Sequence, residues 1–226
     1  MNDFQLSIIL NNHRELWTGA MITIKITAVS FVIALAIGMV VGIARSRPGF
    51  LRWIFTPYVE VFRGTPLLIQ LFFIYYALPA TGITMDNFMA AYVGIGLCGG
   101  AYISEIIRGS LYSVEKGQGE AALSLGFSPV QTMIHVILPQ AMRVAIPPLM
   151  NAFSAQLKET SLVSVLAINE LTRSGQMVYS RTFRPFEIYV AVAILYFVMT
   201  FSVSLFSRHL EKMFHVGGRL SADQRV

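Results

Sequence analysis

The run WTGAMITIKITAVSFVIALAIGMVVGIA, from Trp17 to Ala44, decides the fold class. A helix needs about 20 predominantly apolar residues to cross the hydrocarbon core of a bilayer, and this run is longer. In lipid every backbone polar group must be satisfied within its own segment, so the run is a helix. Four more stretches meet the same test: Tyr58 to Leu78, Phe88 to Ile107, Ala145 to Ile168 and Phe186 to Ser207. The chain therefore reads as all-α, a polytopic membrane helical bundle of about five transmembrane helices. Residues 1–16 form a segment ahead of the bundle, 17–212 the bundle with a long loop at 108–143, and 213–226 a tail.

Composition agrees. Of 226 residues, 55% are hydrophobic and 13% charged, and the mean hydropathy is +0.62. A soluble domain carries about 25% charged residues. The net charge of +5 does not point to nucleic acid, because the basic residues flank apolar runs instead of forming a patch. The N-terminus lacks a basic start, and no A-x-A site follows its first apolar run, so that run reads as a span and not a cleaved signal. Cys98, the single cysteine, excludes an intramolecular disulfide and a thiolate cluster.

Loop charges assign the sides. Arg45, Arg47, Arg52, Arg108, Lys116, Arg143, Arg208, Lys212, Arg219 and Arg225 fall on one side, ten in all, against Arg14, Arg173, Arg181 and Arg184 on the other. The excess marks the cytoplasm. The N-terminus is expected outside and the C-terminus in the cytoplasm. The outer loop 169–185, with three arginines, has room for a short helix. Gly38 with Gly42, and Gly96 with Gly100, have the small-residue spacing that lets helices approach closely.

The loop between the third and fourth spans reads as helix, bend, helix. Ala121, Ala122 and Leu125 share a face of the first helix, and Gly126 fits its C-terminus, where glycine adopts the left-handed conformation cheaply. Ser128-Pro129-Val130-Gln131 is a capping box with proline at the first helical position. The second helix is expected to halt near Pro139. Many connectors have this shape. The residues are more specific: Glu120-Ala121-Ala122, Gly126 four positions on, nine residues to Val136, then Ile137 and Leu138-Pro139. This resembles the EAA signature of permease subunits in ATP-binding-cassette (ABC) importers. Phe62-Arg63-Gly64-Thr65-Pro66, Ala101-Tyr102, Ser104 to Gly109 and Lys158-Glu159-Thr160-Ser161-Leu162 extend the resemblance to the polar amino-acid subfamily, the histidine/glutamine/arginine type.

That resemblance implies a permease translocating a polar amino acid across the bacterial cytoplasmic (inner) membrane by alternating access. It implies three partners beside lipid: ABC ATPase subunits, a second permease chain, identical or not, and an extracytoplasmic amino-acid-binding protein. Glu120, Ala121, Ala122, Gly126, Leu138 and Pro139 would dock the ATPase. The chain has no G-x-x-x-x-G-K-[ST] phosphate loop. Cofactors are expected only in the partner ATPase, as ATP and Mg, and the chain itself is not expected to be an enzyme.

Lys158 and Glu159 fall inside the fourth span, where charges are costly and signal function by default. Asn151, Ser154, Lys158, Ser161 and Val165 share a helix face, which Gln156, Glu159 and Thr160 widen. One reading is an interhelical ion pair with a partner such as Glu105. The other is a substrate cavity, in which a cation holds the carboxylate of a zwitterion and an acceptor holds its ammonium. Adjacent residues point about 100° apart, so both reach the site only if the helix unwinds locally. The resemblance adds Gly99, Gly100 and Tyr102 to Lys158, Glu159, Thr160 and Ser161 as substrate-binding candidates. Glu60 and Arg63 are spaced to pair with each other, and Pro66 is expected to kink the second span. His13, His135, His209 and His215 lie outside the spans and share no local motif with Cys, Asp or Glu, so no metal site is expected. Ser154 and Ser161 lack the tight-turn context of a protease nucleophile. A channel or secondary transporter independent of an ATPase, or an assembly protein with no pathway, are the competing classes.

Overall fold

The computed structural model describes residues 4–46 and 48–214. Arg47, the first three residues and 215–226, including His215, Arg219, Arg225 and nearly all of the expected tail, lie outside the described residues. The described chain is helical, with ten α-helices: α1 (Leu6–Asn11), α2 (His13–Arg45), α3 (Phe50–Gly64), α4 (Leu67–Phe72), α5 (Asn87–Tyr112), α6 (Lys116–Ser124), α7 (Pro129–Thr132), α8 (Leu138–Glu159), α9 (Leu171–Thr182) and α10 (Pro185–Met213). Four stretches are long and apolar enough to cross a membrane: α2, α5, the run Pro129–Leu166, and α10. A bent pair, Phe50–Gly64 with Leu67–Thr81, meets the same test as a unit and brings the candidates to five if it counts as one span.

The central pair is α2 and α5, and its two glycine pairs interlock. Gly38 faces Ile103 and Gly42 faces Ile107. In the opposite sense Gly96 receives Ile33 and Gly100 receives Ile37. Each helix thus offers two glycine notches and two isoleucine ridges to the other, the close approach that small residues permit. Around this pair sit three apolar clusters. One joins α2, α4, α5 and residues 163–168; one joins α2, α9 and α10; one joins α2, α5 and α8.

Two expectations change. The second span is broken, not kinked. α3 stops at Gly64, Thr65 and Pro66 are extended, and the chain turns by 107° into α4. Pro66 has no N–H for the carbonyl of Phe62, four residues back, and its ring disfavours the α conformation at Thr65, which is extended. The side-chain amide of Gln70 stands in, donating through Nε2 to the carbonyls of Phe62 (2.8 Å) and Thr65 (2.9 Å). Nor does the chain halt near Pro139. It passes from α7 through a π-helical turn, Met133–Ile137, straight into α8. The i→i+5 bonds of that turn re-register the ladder just before the proline, so its missing donor is tolerated.

Candidate functional site

The loop between α5 and α8 has the expected caps. Gly126 is left-handed at φ +85. The Phe127 N–H donates to the Ala122 carbonyl (3.1 Å) and the Gly126 N–H to that of Leu123 (3.0 Å), a complete Schellman pair. Ser128 Oγ accepts from the Gln131 N–H (3.2 Å), and Gln131 Oε1 accepts from the Ser128 N–H (2.8 Å), closing the capping box. α6 rests on the π-helical turn through Gly119 and Ile137, and Gln140 donates to Gln118. Ala122 is buried, whereas Glu120, Ala121, Leu138 and Pro139 are exposed or half-buried. The bend also exposes Leu123, Leu125, Phe127, Val130 and Ile134, with Leu125 81% exposed. The bend thus gathers several exposed apolar side chains among polar ones.

The stripe in the fourth span faces outward. Asn151, Lys158 and Glu159 are exposed on this chain, and Ser154 and Ser161 are half-buried. Gln156, Leu157 and Thr160 face inward. The α-helix ends at Glu159 and continues as a tighter 3₁₀ helix, Thr160–Leu166. The backbone changes type directly after the two charges, so Lys158 and Glu159 themselves keep the α-helical separation of about 100°. Glu105 is not their partner: it pairs with Arg45 and Arg108. No ion pair among the described residues joins Glu60 to Arg63; the Arg63 guanidinium lies instead 5.6 Å from the centre of the Tyr102 ring, itself exposed on α5. Gly99 meets Gln156 Oε1 and Ala34, bringing α5 against α8 two residues before Lys158, whereas Gly100 is filled by Ile37 and the Tyr58 hydroxyl.

The loop 169–185 does hold a helix, α9. Its N-cap, Glu170, is fully buried and accepts from the N–H groups of Thr172 (2.9 Å) and Arg173 (2.7 Å) and from the Tyr196 hydroxyl (2.9 Å). Burial pushes this carboxyl up, and those donors pull it partly back. Arg173 donates to the Ser164 carbonyl (3.2 Å), and Tyr76 to that of Val165 (3.2 Å), so side chains from two neighbouring elements cap the end of the 3₁₀ helix.

Sequence reasoning missed Gln70, although a glutamine inside an apolar run four positions after a proline is a readable signal. It missed Glu170 as a cap and Lys25, an exposed lysine within α2. The Arg45–Glu105 partnership, between residues 60 apart, had no local signal.

Four apolar helices with a bent pair beside them, a capped loop and charges inside a span describe a polytopic membrane protein. The chain belongs to the family described as the binding-protein-dependent transport system inner membrane component, which matches residues 34–216. It is 42% identical over 196 residues to the L-cystine transport system permease protein TcyB of Bacillus subtilis (strain 168), covering 86% of this chain and 84% of that protein. It is 42% identical over 197 residues to the glutamine transport system permease protein GlnP of Escherichia coli (strain K12), covering 86% and 90%. A crystal structure of an amino acid ABC transporter with histidines superposes at a TM-score of 0.87 with 35% identity, covering 94% of this chain and 99% of that one. The MetNI methionine ABC transporter, at 19% identity and a TM-score of 0.74, shares the fold. The chain is thus a multi-pass inner-membrane permease component and not itself a catalytic subunit.

Proposed function

We propose that this chain carries a polar amino acid across the cytoplasmic membrane by alternating access, driven by ATP hydrolysis on separate subunits. The observation that carries this reading is the placement of Lys158 and Glu159, which are exposed on the single chain yet lie within a membrane-spanning run. Lys158 is 15 residues, about 22 Å, along the helix from Arg143. That places it inside a hydrocarbon core about 30 Å thick, where a charge facing lipid is costly, by about 2.5–3.5 kcal/mol at the centre. The face is therefore turned to a second permease chain, identical or not, with the pathway between them. Cystine and glutamine, named for two relatives, share an α-ammonium and an α-carboxylate. Lys158 suits the carboxylate, and Glu159, also exposed, suits the ammonium where the helix gives way to the 3₁₀ turn that follows it. Ser161 adds a hydroxyl and Tyr102 and Gly99 a wall contributed by α5, whereas Thr160, buried with its hydroxyl donated to the Leu157 carbonyl (2.7 Å), and Gly100, filled by Ile37, support the site from behind.

The α6–α7 bend, with Glu120, Ala121, Ala122, Gly126, Leu138 and Pro139, docks on the ATPase, which holds ATP and Mg. Its exposed Leu125 and Val130 supply the apolar contact and Glu120 the charge. The bend and both helix ends rich in basic residues face the cytoplasm; the N-terminus and α9 face outward, where an amino-acid-binding protein delivers substrate.

The test is a reconstituted complex with its ATPase, screened for the amino acid that stimulates hydrolysis. Lys158→Ala should raise the half-stimulating concentration by about tenfold, the loss of one charge-assisted contact of ~1.4 kcal/mol, with assembly intact. Unchanged kinetics would return Lys158 to a structural role. Glu120→Lys should weaken retention of the ATPase; full retention would refute the docking role.

A further inference from the structure

Ser104 to Gly109, set apart by the sequence, belongs to neither the loop nor the stripe. Glu105 within it is the centre of a closed ring of polar contacts where α2, α3 and α5 meet. Arg45, the last residue of α2 and 7% exposed, donates to Glu105 Oε1. The same guanidinium reaches Thr56 Oγ1 on α3 through Nε at 3.4 Å. Arg108 donates to the other oxygen, Glu105 Oε2, through Nη2 (2.6 Å) and Nε (3.2 Å). The Arg108 guanidinium lies 5.6 Å from the centre of the Tyr112 ring. The Tyr112 hydroxyl donates to the carbonyl of Ser46 (2.9 Å), the residue after Arg45, and the ring closes on α2.

The location gives this ring a role beyond packing. Tyr112 ends α5, and Lys116 begins α6. The glycine notches hold α5 to α2 from Gly96 to Ile107, so the two helices stay associated without the ring. What the ring adds is a polar tie on the last two turns of α5, Glu105 to Tyr112, from which the loop departs. A push on a loop reaches the membrane as rigid-body motion only if the helix end beneath it does not bend or slide on its neighbour. Here the neighbours are the end of α2 and, through Thr56, the helix that leads into the 107° break.

We propose that Glu105 is a positioning residue for energy coupling: it fixes the end of α5 to α2 and α3, so that displacement of the α6–α7 bend moves all three together. The inference rests on the reading of that bend as the ATPase dock. One carboxylate serving two guanidiniums with both oxygens is suited to this, because the tie resists sliding along the helix as well as separation.

The test uses the full complex in proteoliposomes and measures ATP hydrolysed and amino acid accumulated in the same sample. Glu105→Gln should leave assembly intact and hydrolysis within about twofold of the parent, while amino acid moved per ATP falls at least fivefold. Glu105→Asp, which keeps the charge, should recover most of that ratio. Tyr112→Phe removes one hydroxyl from a residue 57% exposed and should lower the ratio about twofold with no loss of yield. An unchanged ratio in Glu105→Gln overturns the proposal. So does a fall of hydrolysis and transport in proportion to a reduced yield of complex, with no recovery in Glu105→Asp and no effect of Tyr112→Phe. Should the bend not be the dock, Glu120→Lys would retain its ATPase fully, which separates that failure from a failure of Glu105.

Discussion

Gly42 offers the sharpest test of how the two central helices are held. In Gly42→Ala, the new Cβ would lie 2.7 Å from the Ser104 carbonyl oxygen and 2.8 Å from Ile107 Cβ. Neither atom is the end of a flexible side chain. Ordinary contact begins at 3.4 Å, so α2 and α5 must separate by about 0.7 Å at this point. Overpacking of this kind costs about 1–3 kcal/mol. Replacing glycine by alanine in a helix returns up to about 1 kcal/mol. Two hard contacts put this site in the upper part of that range, about 2–3 kcal/mol, so the net loss is about 1–2 kcal/mol, and at about 2–4 °C per kcal/mol for a chain of this size the midpoint should fall by roughly 2–8 °C. The assay is thermal unfolding of the purified protein in detergent. Gly109→Ala is the control: this glycine lies in the same helix pair with nothing within 4 Å of the added carbon, and it should be neutral or slightly stabilising. Gly96→Ala has a built-in rescue. Its Cβ meets Ile33 Cγ2 at 2.7 Å but Ile33 Cβ at 3.1 Å, so Ile33→Ala in the same chain should relieve most of the clash. A double-mutant cycle should give about 1 kcal/mol of favourable coupling. A Gly42→Ala protein that unfolds at the parent midpoint, or a Gly109→Ala protein equally damaged, would refute the reasoning.

Gln70→Leu should cost about 1–3 kcal/mol, because the carbonyls of Phe62 and Thr65 lose their shared donor at a buried break; a midpoint equal to that of the parent would show that the break holds itself. Glu170→Ala should lose the α9 cap and about 1–2 kcal/mol, whereas Glu170→Gln should lose less because an acceptor remains. The Glu170 carboxyl is raised by burial, so the protonated form is favoured in the folded protein and its contribution to stability is lost as pH rises through the raised value. The midpoint of Glu170→Gln should therefore depend less on pH above the ordinary carboxylate range than that of the parent, and parallel pH profiles would contradict this.

The features legible in the sequence are those that lipid or the local chain dictates. Apolar length marks the spans, since no other composition survives in hydrocarbon. The Ser128–Gln131 box and the left-handed Gly126 are legible because every atom involved lies within a few residues. The break at Pro66 reads as no more than a kink until Gln70 is seen to fill the place of the proline's missing donor. Continuation past Pro139 depends on a π-helical turn that composition does not announce. The ion pair with Glu105, one of the two readings open for the stripe, is not formed, because which cation Glu105 meets depends on how α2 lies against α5. In the stripe, the face shared by Asn151, Ser154, Lys158 and Ser161 is legible from periodicity, whereas its exposure on the chain and the change to a 3₁₀ helix after Glu159 are not.

The central claim is that transport through this chain is driven by a separate ATPase docked on the α6–α7 bend. The most direct measurement is uptake of a labelled amino acid into proteoliposomes holding the permease, its ATPase and the binding protein, with and without ATP. Accumulation against a gradient that requires ATP, and that is lost in Glu120→Lys together with the bound ATPase, is the predicted result. Equal uptake by the permease without ATP or ATPase would contradict it and make the chain a channel or a secondary transporter.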